Sequence, residues 1–107
     1  MTTTEIITAL SAFPSEQPVW FYDPHDEGEM YQTIGGIETS FAGDINIYRD
    51  QDTPRTMTVA ELILDLKCYP ADMPVWMYDS SDDGEPYKEI ASVEYGPFQD
   101  LAFFWKS

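Results

Sequence analysis

The sequence predicts an α+β protein built as a tandem duplication of an α-β-β-β unit, with antiparallel sheets that each carry one helix, in a pseudo-two-fold arrangement. Two observations support this prediction. A shift of 56 residues aligns the first half of the chain with the second without a gap, and about a third of the aligned residues are identical. In each half, one segment with helical spacing of apolar residues precedes three segments rich in aromatic and β-branched residues. Because two copies are too few for a solenoid, we expect a fused pseudo-dimer.

The duplication divides the 107-residue chain into a first copy at residues 1–48, a polar linker at 49–57 and a second copy at 58–107. The chain is 43% hydrophobic and 15% aromatic, which is enough apolar material for a core. We therefore expect the two copies to form one compact domain. The protein should be a monomer with internal pseudo-symmetry, and a homodimer is the alternative.

Each copy is predicted to begin with a short helix. A threonine precedes a glutamate by three residues at the start of each apolar segment, Thr2 with Glu5 and Thr58 with Glu61. This spacing is typical of a capping box, in which the two side chains satisfy each other's backbone N–H groups. Each helix should end before the first proline that follows it, because the residue before a proline disfavours helical geometry.

Three strands should follow each helix. The predicted strands are residues 19–22, 31–39 and 44–48 in the first copy and 75–78, 87–95 and 100–105 in the second. The first strand of each copy is apolar on both faces, so one face should meet the helix and the other should meet the second copy or a partner. The pair Gly35-Gly36 predicts a β-bulge in the second strand of the first copy.

Acidic residues dominate the composition. Twenty Asp and Glu against five Lys and Arg give a net charge of −15, and residues 1–48 contain no Lys or Arg. Nucleic acid and anionic membranes are disfavoured as direct partners, since both bind through Lys and Arg. No apolar segment approaches the ~20 residues of a membrane span. The single cysteine, Cys68, is consistent with a reducing cytoplasm.

The candidate binding surface is a set of acids in and around the turns, which we expect to bind a strongly basic partner. The set comprises Asp23, Asp26, Glu27, Glu29, Glu38 and Asp44 in the first copy and Asp79, Asp82, Asp83, Glu85, Glu94 and Asp100 in the second. Simple solvated hairpin turns are the alternative. Four aromatic residues recur beside these acids: Trp20, Tyr22, Trp76 and Tyr78. They either pack the copies together or serve as aromatic anchors ringed by acids.

The sequence contains no recognisable catalytic arrangement. His25 is the only histidine, and no nucleophile accompanies it in a known pattern. The acids in the turns do not follow the spacing of an EF-hand loop. We therefore expect no enzymatic activity, no cofactor and no metal site, and weak calcium binding by the acidic turns is left open.

The second copy opens with Met57-Thr58-Val59-Ala60-Glu61-Leu62 and continues to Pro74-Val75. This opening resembles short phage-encoded proteins that begin M-T-V-x-E-L and lead into a Pro-Val strand. In size and acidity the chain also resembles the DNA-mimic inhibitors of phages, which include anti-CRISPR and anti-restriction proteins.

The resemblance to the DNA mimics implies a phage protein for evasion of host defence, acting in the host bacterial cytoplasm. Such an inhibitor binds a basic nucleic-acid-binding protein, for example a CRISPR effector or a restriction nuclease, and blocks its access to DNA. Two alternatives remain: an immunity protein that neutralises a basic nuclease toxin, and a small phage structural or assembly protein.

Overall fold

The computed structural model describes residues 1–23, 28, 30–39, 43–50, 52, 54–79 and 84–105. In this part of the chain, two helices and six strands occur in the predicted order, and the α+β class is confirmed. The elements are α1 (Thr3–Leu10), β1 (Val19–Tyr22), β2 (Tyr31–Thr39), β3 (Ile45–Arg49), α2 (Val59–Leu66), β4 (Val75–Tyr78), β5 (Tyr87–Tyr95) and β6 (Leu101–Trp105). Each bound in the second half equals the corresponding bound in the first half plus 56.

Both helices begin with the predicted capping box. In α2, Thr58 Oγ1 accepts from the Glu61 N–H at 3.3 Å, and Glu61 Oε1 accepts from the Thr58 N–H at 3.0 Å. Thr2 and Glu5 repeat this exchange in α1 at 3.2 and 2.9 Å. In α2, Arg55 also donates to both carboxylate oxygens of Glu61 at 2.7 and 2.8 Å.

The six strands form one closed barrel in the order β1-β2-β3-β4-β5-β6. Pairing within each half is antiparallel, as predicted, whereas β1 pairs with β6 and β3 pairs with β4 in parallel. The prediction of separate antiparallel sheets is therefore wrong, because the halves share one mixed sheet. The physical reason is that each half has two edge strands with unpaired backbone groups, and the edges of the other half satisfy them.

Backbone hydrogen bonds tie the segment before each helix to the first strand of the other half. The Val19 N–H donates to Met57 O and the Val75 N–H donates to Met1 O, both at 2.9 Å. The two bonds are equivalent under the 56-residue shift of the sequence. Each half therefore binds, through its first strand, the segment that precedes the helix of the other half.

The barrel interior is filled by side chains, as expected for a barrel of few strands. The core consists of Ile6, Leu10, Val19, Phe21, Ile34, Ile45, Ile47, Val59, Leu62, Leu66, Val75, Met77, Ile90, Leu101 and Phe103, each at most 1% exposed. The helices cover the end where β1 and β4 begin, since Thr58 bridges to Pro18 and Thr2 bridges to Pro74. The opposite end is where β1 and β4 finish.

The predicted bulge in β2 is confirmed. The register between β2 and β3 shifts between Ile34 and Gly36. A Cβ added at Gly36 would lie 2.7 Å from the hydroxyl oxygen of Tyr48, so the glycine makes room for that ring. A matching shift occurs between Ile90 and Ser92 in β5, where no glycine is present. The shift is thus a feature of both halves, and in the first half Gly36 leaves room for the Tyr48 ring.

The protein measures 36 × 33 × 26 Å along its principal axes, with a radius of gyration of 12.7 Å. None of the helices among the described residues has the length and hydropathy needed to cross a membrane. These dimensions set the scale on which the negative charge is distributed.

The two capping boxes allow a matched test of stability against pH. Hydrogen bonds from Arg55 and Thr58 lower the pKa of Glu61 from 4.5 to about 2. A carboxylate with a lowered folded-state pKa stabilises the fold above its unfolded pKa, and this contribution is lost as the pH falls towards the folded value. We predict that lowering the pH from about 4.5 to about 2 reduces the Tm of the wild type more than that of Glu61→Gln.

Glu5→Gln is the control, because Glu5 occupies the same capping position in α1 and hydrogen bonds from Thr2 lower its pKa without an arginine. Its Tm profile should lie closer to that of the wild type. Parallel profiles for the wild type and Glu61→Gln would contradict the role of the Arg55 pair.

Candidate functional site

Alternation along the strands separates an inner from an outer set of side chains. In β1 and β4 the first and third residues are buried, and the second and fourth are half-buried. The half-buried residues are the four predicted aromatic anchors, Trp20, Tyr22, Trp76 and Tyr78. They lie on the outer face of the barrel, and the core is built from the residues that alternate with them.

The inner face ends in polar side chains at the end of the barrel opposite the helices. Arg49 Nη1 donates to Asp79 Oδ1 at 3.3 Å, and only 7% and 5% of these two side chains are exposed. Beside them, Gln32 Nε2 donates to Asp23 Oδ2 at 3.3 Å. We call Asp23, Gln32, Arg49, Asp79 and Lys88 the polar layer. It continues the inward alternation of the strands, because Gln32 lies opposite the core residue Phe21.

Two of the predicted binding acids, Asp79 and Asp23, lie in the polar layer and contact other residues of the protein. Asp79 is 3% exposed, and its carboxylate neutralises Arg49 within the barrel. Asp23 is half-buried and accepts a hydrogen bond from Gln32. Burying a charge is costly unless it is paired. Asp79 therefore stabilises the folded structure through its pair with Arg49 and is not part of the exposed acidic surface.

The remaining described acids of the predicted set lie nearer to solvent. Glu38, Glu85 and Glu94 are exposed, and Asp44 and Asp100 are half-buried. The acids outside the described residues are Asp26, Glu27, Glu29, Asp82 and Asp83. The outer surface thus retains carboxylates from both halves of the chain.

Most of the described basic side chains are engaged with other groups of the protein. Arg49 belongs to the polar layer, and Arg55 is bonded to Glu61. Lys88 places Nζ 5.4 Å from the ring centroid of Trp105, within range of a cation–π interaction. The Arg49 charge therefore lies within the barrel, whereas the Arg55–Glu61 pair is exposed to solvent.

One outward-facing row of side chains crosses four neighbouring strands. The strand register pairs Glu38 with Asn46, Asn46 with Trp76, and Trp76 with Glu89. We call these four residues the Trp76 row. Residues opposite one another on adjacent strands share a face and have Cβ atoms about 5 Å apart. The row therefore places a tryptophan and an amide between two exposed glutamates.

The other half contains a matching row with a different composition. It consists of Glu94, Ala102, Trp20 and Thr33, paired in the same order across β5, β6, β1 and β2. We call it the Trp20 row. Alanine replaces the amide and threonine replaces one glutamate, so the Trp76 row is the more polar and the more acidic of the two.

Negative charge extends from the Trp76 row towards the end of α2. Burial raises the pKa of the Tyr69 phenol, and the nearby Asp65, Cys68 and Glu38 raise it further. A raised tyrosine pKa in the company of acidic groups indicates a negative local potential. This part of the surface is suited to a cationic partner.

Aromatic rings form a continuous chain on the outer face of β6, β1 and β2. The Tyr22 ring centroid lies 4.9 Å from that of Phe104 and 5.5 Å from that of Tyr31. The chain continues to Phe98, whose ring lies 6.0 Å from Tyr31 and is 62% exposed as a residue. The Phe98 N–H also donates to the Tyr31 hydroxyl at 3.1 Å, which fixes the turn between β5 and β6 against this face.

A metal site and a ligand site in a groove are less well supported than a site on the outer face of the barrel. Across the described residues, no three His, Cys, Asp or Glu side chains come together as metal ligands. A groove of about 320 Å³ lies beside the bulge and is lined by Gly35, Gly36 and Arg55, among others. Its guanidinium is already bonded to Glu61. We therefore place the candidate site on the outer face of the barrel.

Three residues that the structure brings into the site or beneath it were not predicted from the sequence. Asn46 and Glu89 belong to the Trp76 row, and Arg49 is the partner of Asp79. Two-residue alternation along the strands was the signal that could have found them. Arg49 was assigned to the linker, but it continues the inward alternation of Ile45 and Ile47.

Comparison of the chain with protein-family models finds no match, and comparisons with curated proteins and with solved structures find none either.

Acids that stabilise the fold and acids on the surface should differ in their effect on the free energy of unfolding. Asp79→Asn removes the charge that neutralises a buried guanidinium, so we expect a loss of about 3 kcal/mol in the free energy of unfolding. Chemical denaturation measures this loss. Glu94→Gln, at an exposed position of the same predicted set, should change the free energy by less than about 0.5 kcal/mol. Equal effects of the two substitutions would contradict the buried ion pair.

Proposed function

We propose that the protein is a phage anti-defence protein of the anti-CRISPR type that acts as a DNA mimic. In this proposal it occupies a positively charged nucleic-acid-binding surface of a host defence complex and blocks DNA binding there. It is a binding protein without enzymatic activity or a cofactor, and its place of action is the host bacterial cytoplasm. The observation that carries the proposal is the net charge of −15 on a particle of 36 × 33 × 26 Å.

The magnitude of the charge supports mimicry of a duplex. Double-stranded DNA carries one phosphate charge per ~1.7 Å of axis, so fifteen charges correspond to about 25 Å of duplex. The protein extends 36, 33 and 26 Å along its principal axes, so this length of duplex is comparable to its shortest dimension. Solubility requires a net charge of only about 2 to 8 for a small domain. The excess favours a partner that normally binds phosphates.

The arrangement of the charges supports the same partner. Arg49 and Arg55 are each paired with a carboxylate of the protein itself. Glu38, Glu85 and Glu94 remain exposed on the outside. Complementary potentials of this kind accelerate association and set specificity. A basic groove in a CRISPR effector or a restriction nuclease has the required complementary charge.

We also propose that the chain arose by tandem duplication of an α-β-β-β unit and that a pseudo-two-fold axis relates its halves. The constant offset of 56 residues between equivalent elements supports this origin. The equivalent bonds Val19 N–H to Met57 O and Val75 N–H to Met1 O support the axis. A two-fold arrangement would present equivalent acids such as Glu38 and Glu94 to a partner from both halves.

The direct test is competition with DNA. The tagged protein is used to isolate partners from a bacterial lysate, and each partner is then assayed for duplex binding by mobility shift. The wild type should displace the duplex, with an affinity that falls steeply as salt is raised. Glu38→Lys with Glu94→Lys should weaken displacement by more than about tenfold, because like charges facing each other across an interface cost several kcal/mol.

Glu16→Lys with Asp72→Lys is the matched control. It introduces the same change in net charge at two exposed positions related by the same 56-residue shift, in the turns that follow the helices. The control should displace the duplex nearly as well as the wild type. The proposal fails if partners retain their DNA in the presence of saturating protein, or if both double variants behave alike.

A further inference from the structure

Asn46 is an anomaly on the outer face of the barrel. It belongs to the outward-facing Trp76 row, yet it is only 4% exposed. Its carbonyl oxygen Oδ1 is buried and has no hydrogen-bond partner among the described residues. An unsatisfied buried acceptor is destabilising, since it has lost water and gained nothing in exchange. Gln32 Oε1 in the polar layer is a second atom of this kind among the described residues, and each calls for an explanation.

The other half of the protein shows that the fold does not require this amide. Ala102 occupies the position equivalent to Asn46, in the same register beside Trp20 and Glu94. It is fully buried and leaves no polar group to be satisfied. The barrel thus accepts an apolar residue at this place in the row.

The surroundings of Asn46 define the chemistry of a ligand that would bind here. Trp76 lies on one side of it and Glu38 on the other, with Glu89 beyond Trp76. Both glutamates are exposed. An indole face attracts cations, while carboxylates and an amide oxygen accept hydrogen bonds. A cation with several donors arranged in a plane satisfies all of these groups together.

We propose that the Trp76 row binds the guanidinium group of an arginine side chain on the basic partner. This inference rests on the proposed function for the nature of that partner. The guanidinium stacks on the Trp76 indole and donates to Asn46 Oδ1 and to a flanking carboxylate. A lysine ammonium is a compact, strongly hydrated charge, which stacks less well and lacks the planar fork of donors.

The spacing of the row fits this arrangement. Adjacent strands lie about 4.8 Å apart, so the Asn46 and Glu89 backbones each lie one strand from Trp76. Significant cation–π contacts place the cation within about 6 Å of the ring centroid. Within the described part of the chain, no hydrogen bond holds Asn46 Oδ1 when the amide turns outward to meet the ligand. A bound arginine would then donate a hydrogen bond to Asn46 Oδ1.

The test uses hexaarginine and hexalysine peptides as probes of the wild type and of Asn46→Ala. Titrations are followed by NMR through the indole N–H of Trp76 and the side-chain amide of Asn46. In the wild type, hexaarginine should shift both signals. Asn46→Ala should weaken hexaarginine binding about tenfold, as expected for one charge-assisted hydrogen bond. Hexalysine binding should change much less.

The Tm of each variant distinguishes the loss of a contact with the ligand from a loss of folding stability. Asn46→Ala introduces the residue that the Trp20 row already contains, and it removes a buried unsatisfied acceptor. Its Tm should therefore be equal to or above that of the wild type while hexaarginine binding falls. Trp76→Phe should also weaken the binding of hexaarginine, because indole is the best cation–π acceptor. Trp20→Phe is the matched control and should leave it unchanged.

Hexaarginine binding that is unchanged in Asn46→Ala overturns the inference, and so does an equal loss in Trp20→Phe and Trp76→Phe. The peptide assay contains no DNA and is independent of the displacement assay. If displacement of DNA fails while Asn46-dependent peptide binding holds, the arginine site stands and the proposed function is overturned. If displacement succeeds without any dependence on Asn46, the proposed function stands and the arginine site is overturned.

Discussion

Parallel pairing of β1 with β6 and of β3 with β4 closes the barrel, and the other features of the structure depend on it. Each half alone would leave two strand edges with unpaired backbone groups. Closure removes these edges and encloses one core that contains side chains from both halves. It also orients every strand, since alternation then assigns each side chain either to the interior or to the outer face. The positions of the charges follow from this assignment.

The separation of the two faces connects the fold with the proposed function. Inside, the Arg49–Asp79 pair and the Gln32–Asp23 hydrogen bond connect polar side chains where the core ends. Outside, exposed acids stand beside half-buried aromatic residues on a rigid wall. A rigid surface loses little conformational entropy on binding, so more of its contact energy appears as affinity. The proposed competition with DNA for a basic surface would use this outer face.

Much of the fold could be predicted because its signals are local. The Thr-x-x-Glu spacing predicted both helix starts, and segments rich in aromatic and β-branched residues predicted β1, β2, β4 and β5 with their bounds. Strand partners could not be predicted, because an unpaired edge does not encode which other edge it will meet. Asp79 was predicted as a surface acid because its turn is polar, and its buried partner comes from a strand thirty residues earlier in the chain. The role of Asn46 depends on its neighbours across three strands, which the sequence alone does not bring together.

The most direct test of the account is to divide the chain in the linker and to express residues 1–50 and 54–107 as separate fragments. Because closure requires edges from two halves, neither fragment should give a dispersed NMR spectrum as a monomer. An equimolar mixture should restore the dispersed spectrum of the intact protein, with a single complex by light scattering. A fragment that folds as a monomer would contradict the account, since its strand edges would then be satisfied without the other half.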